Sequence, residues 1–92
     1  MDMKIFHKEV VSMQQRLKSY LDMPNDSKAQ AIINSFQKLE DEVQVGRTGA
    51  TIQNRIKEIQ TQIKAAYDSG VISWDHFDAL EDWTREYLQK TR

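Results

Sequence analysis

Four carboxylates in the last third of the sequence are the first residues whose type and spacing could support chemistry. Asp75, Asp78, Glu81 and Asp82 follow one another at helical spacings. Side chains spaced in this way share one side of a helix, where they could hold a cation or act as an acid–base pair. Carboxylates in the first turns of a helix also stabilise its positive end. Because no calcium-loop pattern accompanies them, we interpret them as solvated helix-end residues.

The two histidines, His7 and His76, are the other candidates for metal or proton chemistry. They lie far apart in the sequence, neither belongs to an HExxH pattern, and the chain has no cysteine to complete a zinc site. No serine lies in a GxSxG pattern, and the glycine motifs that bind phosphate are missing. The sequence therefore predicts no catalytic residue, no cofactor and no metal site, in a protein that is not an enzyme.

Aromatic side chains in the same last third are candidates for binding another protein. Tryptophan and tyrosine often anchor interfaces, although a stripe of aromatic residues at helical spacing is more often part of a core. We expect Phe77 in the core and leave Trp83 open between core and interface, because this segment carries more aromatic width than one stripe requires. The residues proposed to bind a partner are Trp74, Trp83, Tyr87 and Arg92.

Four amphipathic helices are predicted to position these groups, because apolar residues recur at steps of three and four along most of the chain. The first is expected over residues 2–22, ended by Pro24, since the residue before a proline is disfavoured in the helical region. The second should run from near Ser27 to about Val45. The residues expected on the apolar stripes are Met3, Phe6, Val10, Met13, Leu17 and Tyr20; Ala29, Ile32, Phe36, Leu39 and Val43; Ile52, Ile56, Ile59, Ile63 and Ala66; and Trp74, Phe77, Leu80, Trp83, Tyr87 and Leu88.

Glycine and hydroxyl residues predict where the later helices begin and end. Gly46 and Gly70 are expected to close the second and third helices, because glycine adopts the left-handed conformation at low cost. Thr48 or Thr51 is expected to cap the third helix. Ser73 is expected to cap the fourth by accepting a hydrogen bond from a free amide.

Short loops between four such helices predict an all-α fold, an antiparallel up-down-up-down four-helix bundle. The 92 residues are expected to form a single domain over residues 1–92. The 13 basic and 14 acidic residues give a formal net charge of −1, which argues against a nucleic-acid partner. The apolar runs are too short for membrane insertion and no signal-peptide block is present, so we expect a cytoplasmic protein.

Four short runs resemble landmarks of one protein family. They are INSFQKLEDE at Ile33 to Glu42, the loop GRTGAT, IQNRI at Ile52 to Ile56, and SGVISW at Ser69 to Trp74. Over roughly residues 30 to 88 the sequence is similar to enterocin A immunity-type proteins, the class IIa bacteriocin immunity family. The family's third helix often begins with an apolar residue, an arginine and another apolar residue, matched here by Ile52, Arg55 and Ile56.

The resemblance implies a small cytoplasmic bacterial bundle that protects the cell producing a bacteriocin. It also implies a partner, a membrane sugar transporter to which the bacteriocin is bound. Members of the family commonly continue past the fourth helix into a tail, whereas this chain ends at Arg92. The resemblance therefore implies either recognition through the exposed side of the third and fourth helices or a divergent member of the family with another partner.

Two alternatives of other classes stay open at this point. The aromatic residues of the fourth helix could pair two copies of the chain, which would make it a small homo-oligomeric structural or regulatory protein of phage or plasmid origin. A regulator that binds nucleic acid is the other alternative, and it predicts DNA affinity that falls steeply with salt.

Overall fold

Four helices account for most of residues 2–92, the part of the chain that this computed structural model describes. Helix α1 spans Met3–Tyr20, α2 spans Ser27–Gln44, α3 spans Ala50–Asp68 and α4 spans Trp74–Lys90. Among these described residues, none of the helices combines the length and the apolarity needed to cross a lipid bilayer.

Contacts between the helices show that neighbours run antiparallel. In each pair, a residue near the start of one helix meets a residue near the end of the other: His7 with Glu40, Arg55 with Glu42, Gln53 with Leu88, and Phe6 with Tyr87. The last pair brings α1 against α4 and closes the ring of four helices. The predicted all-α, antiparallel four-helix bundle is confirmed.

The core lies along the bundle axis and is built from one apolar stripe of each helix. Burying each large apolar side chain contributes about 1.5–3 kcal/mol before chain entropy is counted. Met3 and Tyr20 are only half-buried at the margins of the predicted stripe of α1. The predicted residues that are buried in the first three helices are Phe6, Val10, Met13 and Leu17; Ala29, Ile32, Phe36, Leu39 and Val43; and Ile52, Ile56, Ile59, Ile63 and Ala66.

Two loops at one end of the bundle are joined by a short backbone bridge that the sequence did not predict. Leu21 leaves the helical conformation directly after α1 and forms an antiparallel bridge with Ile72. Next to it, the amide of Asp22 donates a hydrogen bond of 3.1 Å to the carbonyl oxygen of Val71. Leu21, Val71 and Ile72 are all buried, so the loops close this end of the core.

The boundaries between α1 and α2 agree with the predictions in part. The carboxylate of Asp26 accepts a 2.8 Å hydrogen bond from the amide of Lys28, so the expected start of α2 at Ser27 is confirmed. The prediction that Pro24 ends α1 is wrong. The helix ends before it because Leu21 is already extended, which lets its side chain enter the core.

Glycine closes both α2 and α3, as predicted. Gly46 and Gly70 have φ angles of 86° and 75°, in the left-handed region. After α3, the amide of Val71 donates a 2.9 Å hydrogen bond back to the carbonyl of Ala66, and both side chains are buried. This is a Schellman arrangement, in which the chain reverses and satisfies carbonyl groups that the helix end leaves free.

The N-terminal caps of α3 and α4 differ from the predictions. Gly49 is the N-cap of α3 and has no side-chain cap, so the expected capping by Thr48 or Thr51 is wrong. Ser73 does occupy the N-cap position of α4, in extended conformation. Its hydroxyl lies 3.2 Å from Nδ1 of His76 instead of accepting a bond from an amide.

Candidate protein-binding face

The four residues predicted to bind a partner fall into two environments. Trp83 and Tyr87 are only 7% and 6% exposed, whereas Trp74 is 58% exposed and Arg92 is also at the surface. A partner on the folded surface can reach Trp74 and Arg92 but not the other two side chains. The prediction is corrected to that extent, because α4 turns Trp83 and Tyr87 towards α1.

An aromatic cluster in the core explains why Trp83 is buried. The Trp83 ring lies 5.4 Å from the ring of Phe36 and 6.3 Å from that of Phe6, between centroids. Tyr87 packs on both Trp83 and Phe6, at 4.7 Å and 5.1 Å. Such aromatic pairs add about 0.5–1.5 kcal/mol each to the free energy of area burial. Within residues 2–92 the indole N–H of Trp83 is buried without a hydrogen-bond partner. Leaving it unpaired costs free energy, which the packing of the ring must outweigh.

The phenol of Tyr87 is held in its neutral form by its surroundings. Burial raises the pKa of Tyr87, and the negative charge of Glu9 on α1 raises it further. The ammonium of Lys90 lies 5.2 Å from the centre of the Tyr87 ring and acts in the opposite direction. Lys90 is itself bound to Glu86 at 2.6 Å, and this hydrogen bond raises the pKa of Lys90.

The exposed side of the second hairpin carries the aromatic residues that a partner could contact. Trp74 and Phe77 are one helical turn apart on α4, and the half-buried Phe77 ring stacks on Tyr67 of α3 at 4.6 Å. Phe77 was expected in the core; it contacts the core but keeps one side accessible. We call the surface formed by Tyr67, Trp74, Phe77 and Leu88 the α3–α4 face.

An open cleft of about 410 Å³ lies on the α3–α4 face, next to Phe77. Its floor is apolar, provided by Ile63, and its rim is polar or charged. An apolar centre with a polar rim is the usual composition of a protein-binding patch. The lining residues are Gln60, Thr61, Ile63, Lys64, Phe77 and Glu81.

At the cleft, the two helices of this face carry opposite charges. Lys64 lines the cleft from α3, and Lys57 lies two turns before it on the same side of that helix. Glu81 lines the cleft from α4, and Asp78 lies one turn before it. Within residues 2–92, Lys57 and Asp78 form no ion pair, so their charges are available to a partner.

The row of carboxylates on α4 is arranged as a solvated helix surface. Arg85 binds Glu81 at 2.9 Å and approaches Asp82 at 3.7 Å, and the hydrogen bond to Glu81 raises the pKa of Arg85. In the described part of the chain, no three His, Asp or Glu side chains come together in a group that could hold a metal ion.

The two histidines lie on different sides of the bundle, and each contacts a neighbouring helix. Nε2 of His7 is 3.7 Å from the carboxylate of Glu40 on α2. The His76 ring stacks on Tyr20 of α1, with centroids 4.5 Å apart and planes 9° from parallel. His76 therefore helps to join α4 to α1, and its contact with Ser73 belongs to the start of the helix.

Sequence reasoning missed the lysines of the cleft rim. Lys57 and Lys64 are separated by seven residues, which places them on one side of α3, but nothing in the sequence says that this side faces the cleft. A helical-wheel projection relative to Ile59 and Ile63 would have placed both lysines on the flank of α3. Only the packing of α4 against α3 shows that this flank borders the cleft.

No further guide to the site comes from relatives. Comparison with protein-family models, with curated proteins and with solved structures finds no match for this chain.

Proposed function

We propose that this chain is a non-enzymatic four-helix bundle that binds another protein, and most specifically a bacteriocin immunity protein that protects the producer cell. It acts in the cytoplasm, and its partner is a membrane sugar transporter to which the bacteriocin is bound. The observation that carries the proposal is the exposed Trp74 on the α3–α4 face, one helical turn from Phe77, which lines the cleft. Tryptophan is costly to leave in water and is a frequent centre of binding energy in interfaces.

The positions of the family-like runs support the same surface. The run SGVISW forms the turn between α3 and α4 and ends at Trp74, and the run IQNRI lies in the first turns of α3. Arg55 of the second run donates a 2.8 Å hydrogen bond to Glu42, which fixes α3 against α2. One run thus presents the exposed tryptophan, and the other holds the hairpin that carries it.

The mechanism is stoichiometric docking. Trp74 and the accessible side of Phe77 supply the apolar contact, while Lys64, Glu81 and Gln60 on the rim select the partner by charge and hydrogen bonding. Arg92 lies beyond the opposite end of α4 and extends the contact in that direction. The bound bundle holds the transporter in a state in which the bacteriocin does not damage the cell.

The test is an affinity capture from detergent-solubilised bacterial membranes, with and without added class IIa bacteriocin, followed by mass spectrometry. The tagged wild-type chain should capture the sugar transporter only when bacteriocin is present. Trp74→Ala should reduce this capture at least about tenfold, as expected for the loss of an interface anchor.

Ile5→Ala is the matched control, because Ile5 is 56% exposed but belongs to α1, away from the α3–α4 face. It should capture as much transporter as the wild type. Recovery of no transporter, or equal recovery without bacteriocin, would overturn the immunity proposal. Equal capture by Trp74→Ala and the wild type would overturn the assignment of the face.

A further inference from the structure

We propose that the α3–α4 face is also the contact surface between two copies of this chain, related by a two-fold axis that runs parallel to the helices. In this arrangement, α3 of each copy lies over α4 of the other. The inference goes beyond the proposed function, since it assigns a second occupant to the same face.

The first argument is that the charges of the face complement themselves. Next to the cleft, its α3 flank carries Lys64 and its α4 flank carries Asp78 and Glu81, of which Glu81 is also paired with Arg85. A two-fold axis parallel to the helices exchanges the flanks and keeps each residue at its height along the bundle, so Lys64 of each copy meets Asp78 and Glu81 of the other. A two-fold axis across the helices would instead lay α3 on α3, with lysines against lysines. Electrostatic complementarity of this kind sets the register and orientation of an interface.

The second argument is that each pair of opposite charges forms twice. An interface with two-fold symmetry is isologous, so every contact between residues i and j is repeated between j and i. Lys64 is 67% exposed, and its internal partner Asp68 lies at 3.7 Å, a distance at which a surface pair contributes little. Lys64 can therefore turn towards a second copy at a low cost in free energy.

The third argument is the apolar strip between the two charged flanks. Tyr67, Phe77 and Leu88 are half-buried, and Trp74 is mostly exposed, so pairing two faces removes aromatic surface from water on both copies. The grooves on the opposite side, between α1 and α2, have no phenylalanine, tyrosine or tryptophan in their lining. The α3–α4 face, in contrast, combines an aromatic centre with flanks of opposite charge.

A dimer of this kind would cover the surface to which the transporter is proposed to bind. Self-association and partner binding would then compete, and the free monomer would be the active form. This competition rests on the proposed function, whereas the dimer itself does not.

Sedimentation velocity over a range of concentrations up to about 1 mM, where even weak dimers are populated, tests the inference with the purified chain alone. The wild type should show a mass that rises from monomer to dimer. Lys64→Glu places two carboxylate pairs face to face in a homodimer, and Asp78→Lys places two lysine pairs face to face. Each variant alone should raise the dimer dissociation constant about tenfold or more.

An equimolar mixture of the two variants is the decisive measurement. In a mixed dimer, the new carboxylate at position 64 of one copy faces the new ammonium at position 78 of the other. The second contact joins the unchanged Asp78 and Lys64, so both pairs are attractive again and dimers should reappear. Lys38→Glu, on the exposed outer side of α2, is the control and should dimerise as the wild type does. Far-UV circular dichroism verifies that each variant is folded.

A monomer at every concentration, or a dimer that the charge reversals leave unchanged, would overturn the inference. A mixture that stays monomeric would overturn the proposed axis. Because none of these samples contains bacteriocin or transporter, the dimer and the immunity function can fail independently.

Discussion

Trp74 and Trp83 are the same residue type on the same helix, yet one lies in water and the other in the core. Trp83 points into the core, where Phe6 of α1 and Phe36 of α2 pack against it. Trp74 lies in the first turn of α4, at the edge of the α3–α4 face, and is 58% exposed. The sequence left this choice open because the apolar residues of α4 cover an arc wider than one neighbouring helix can bury.

Truncating the two tryptophans should therefore have opposite consequences. Trp83→Ala removes a ring from the aromatic cluster and should lower the free energy of unfolding by about 3–5 kcal/mol. Trp74→Ala should change it by no more than about 0.5 kcal/mol, as is usual for surface substitutions. Urea unfolding followed by circular dichroism measures both. A comparable loss of stability in the two variants would contradict the assignment of Trp74 to the surface.

The raised pKa of Tyr87 predicts a specific loss of stability in alkali. The ordinary tyrosine pKa is 10.0, and burial followed by Glu9 raises the pKa of Tyr87 above it in the folded state. The folded chain thus binds the phenolic proton more tightly than the unfolded chain, and the stability from this difference is complete below pH 10. That stability is lost as the pH rises through the raised value.

Comparison of the wild type with Tyr87→Phe isolates this contribution. The free energy of unfolding of the wild type should fall more steeply above pH 10 than that of the variant, because phenylalanine does not titrate. Urea denaturation at a series of alkaline pH values provides the curves. Parallel curves for the two proteins would show that Tyr87 titrates alike in both states.

At the scale of the elements, local chemistry accounts for the ends of α2 and α3. Gly46 and Gly70 could be predicted from the sequence because the end of a helix needs a left-handed residue, whatever packs around it. Leu21 and Ile72 could not be predicted as core residues, since a buried bridge between two loops depends on partners distant in the chain. The helices themselves followed from apolar periodicity, which is also local.

Replacing Gly70 tests the closing turn of α3. Its φ of 75° is unfavourable for a residue with a Cβ, although no atom lies within 4 Å of the position that a Cβ would occupy. Gly70→Ala should thus lower stability by about 1–2 kcal/mol through backbone strain alone. Gly70→Asn should cost less, because asparagine tolerates this conformation better.

Thermal unfolding of these variants beside Ser69→Ala supplies the comparison. Ser69 is the exposed neighbour with a negative φ of −95°, so its substitution should leave the melting temperature nearly unchanged. A Gly70→Ala protein as stable as Ser69→Ala would show that the turn adopts another conformation in solution.

At the scale of the whole molecule, contacts between α1 and α4 close the ring. They join the two ends of the chain, whereas the contacts of α2 with α3 and of α3 with α4 join neighbours in sequence. Contacts of large sequence separation form slowly, because the chain must first lose the entropy of closing a long loop. We therefore expect α1 to dock on α4 late in folding.

Phe6→Leu tests this order of events. Phe6 is fully buried against Trp83 and Tyr87, and its substitution should mainly raise the unfolding rate while the folding rate changes little. Ile59→Val in α3 is the comparison. A larger share of its loss of stability should appear as slower folding. Stopped-flow refolding and unfolding followed by tryptophan fluorescence separates the two rates. If Phe6→Leu instead lowered the folding rate by the full factor that corresponds to its loss of stability, the proposed order would be reversed.

The bridge between Leu21 and Ile72 also determines how the bundle would respond to mechanical force. The beginning of α1 and the end of α4 lie together at one end of the molecule, and the bridge ties these two helices at the other end. Tension applied at Asp2 and Arg92 would therefore open α1 from α4 one contact at a time, like a zipper, instead of shearing all contacts at once. The bridge would be the last of these contacts to break. At that point the force would act along its backbone hydrogen bond. Until the bridge broke, the force would not extend residues 22–71, which contain α2 and α3, although α1 would lose its contacts with α2, such as that of His7 with Glu40.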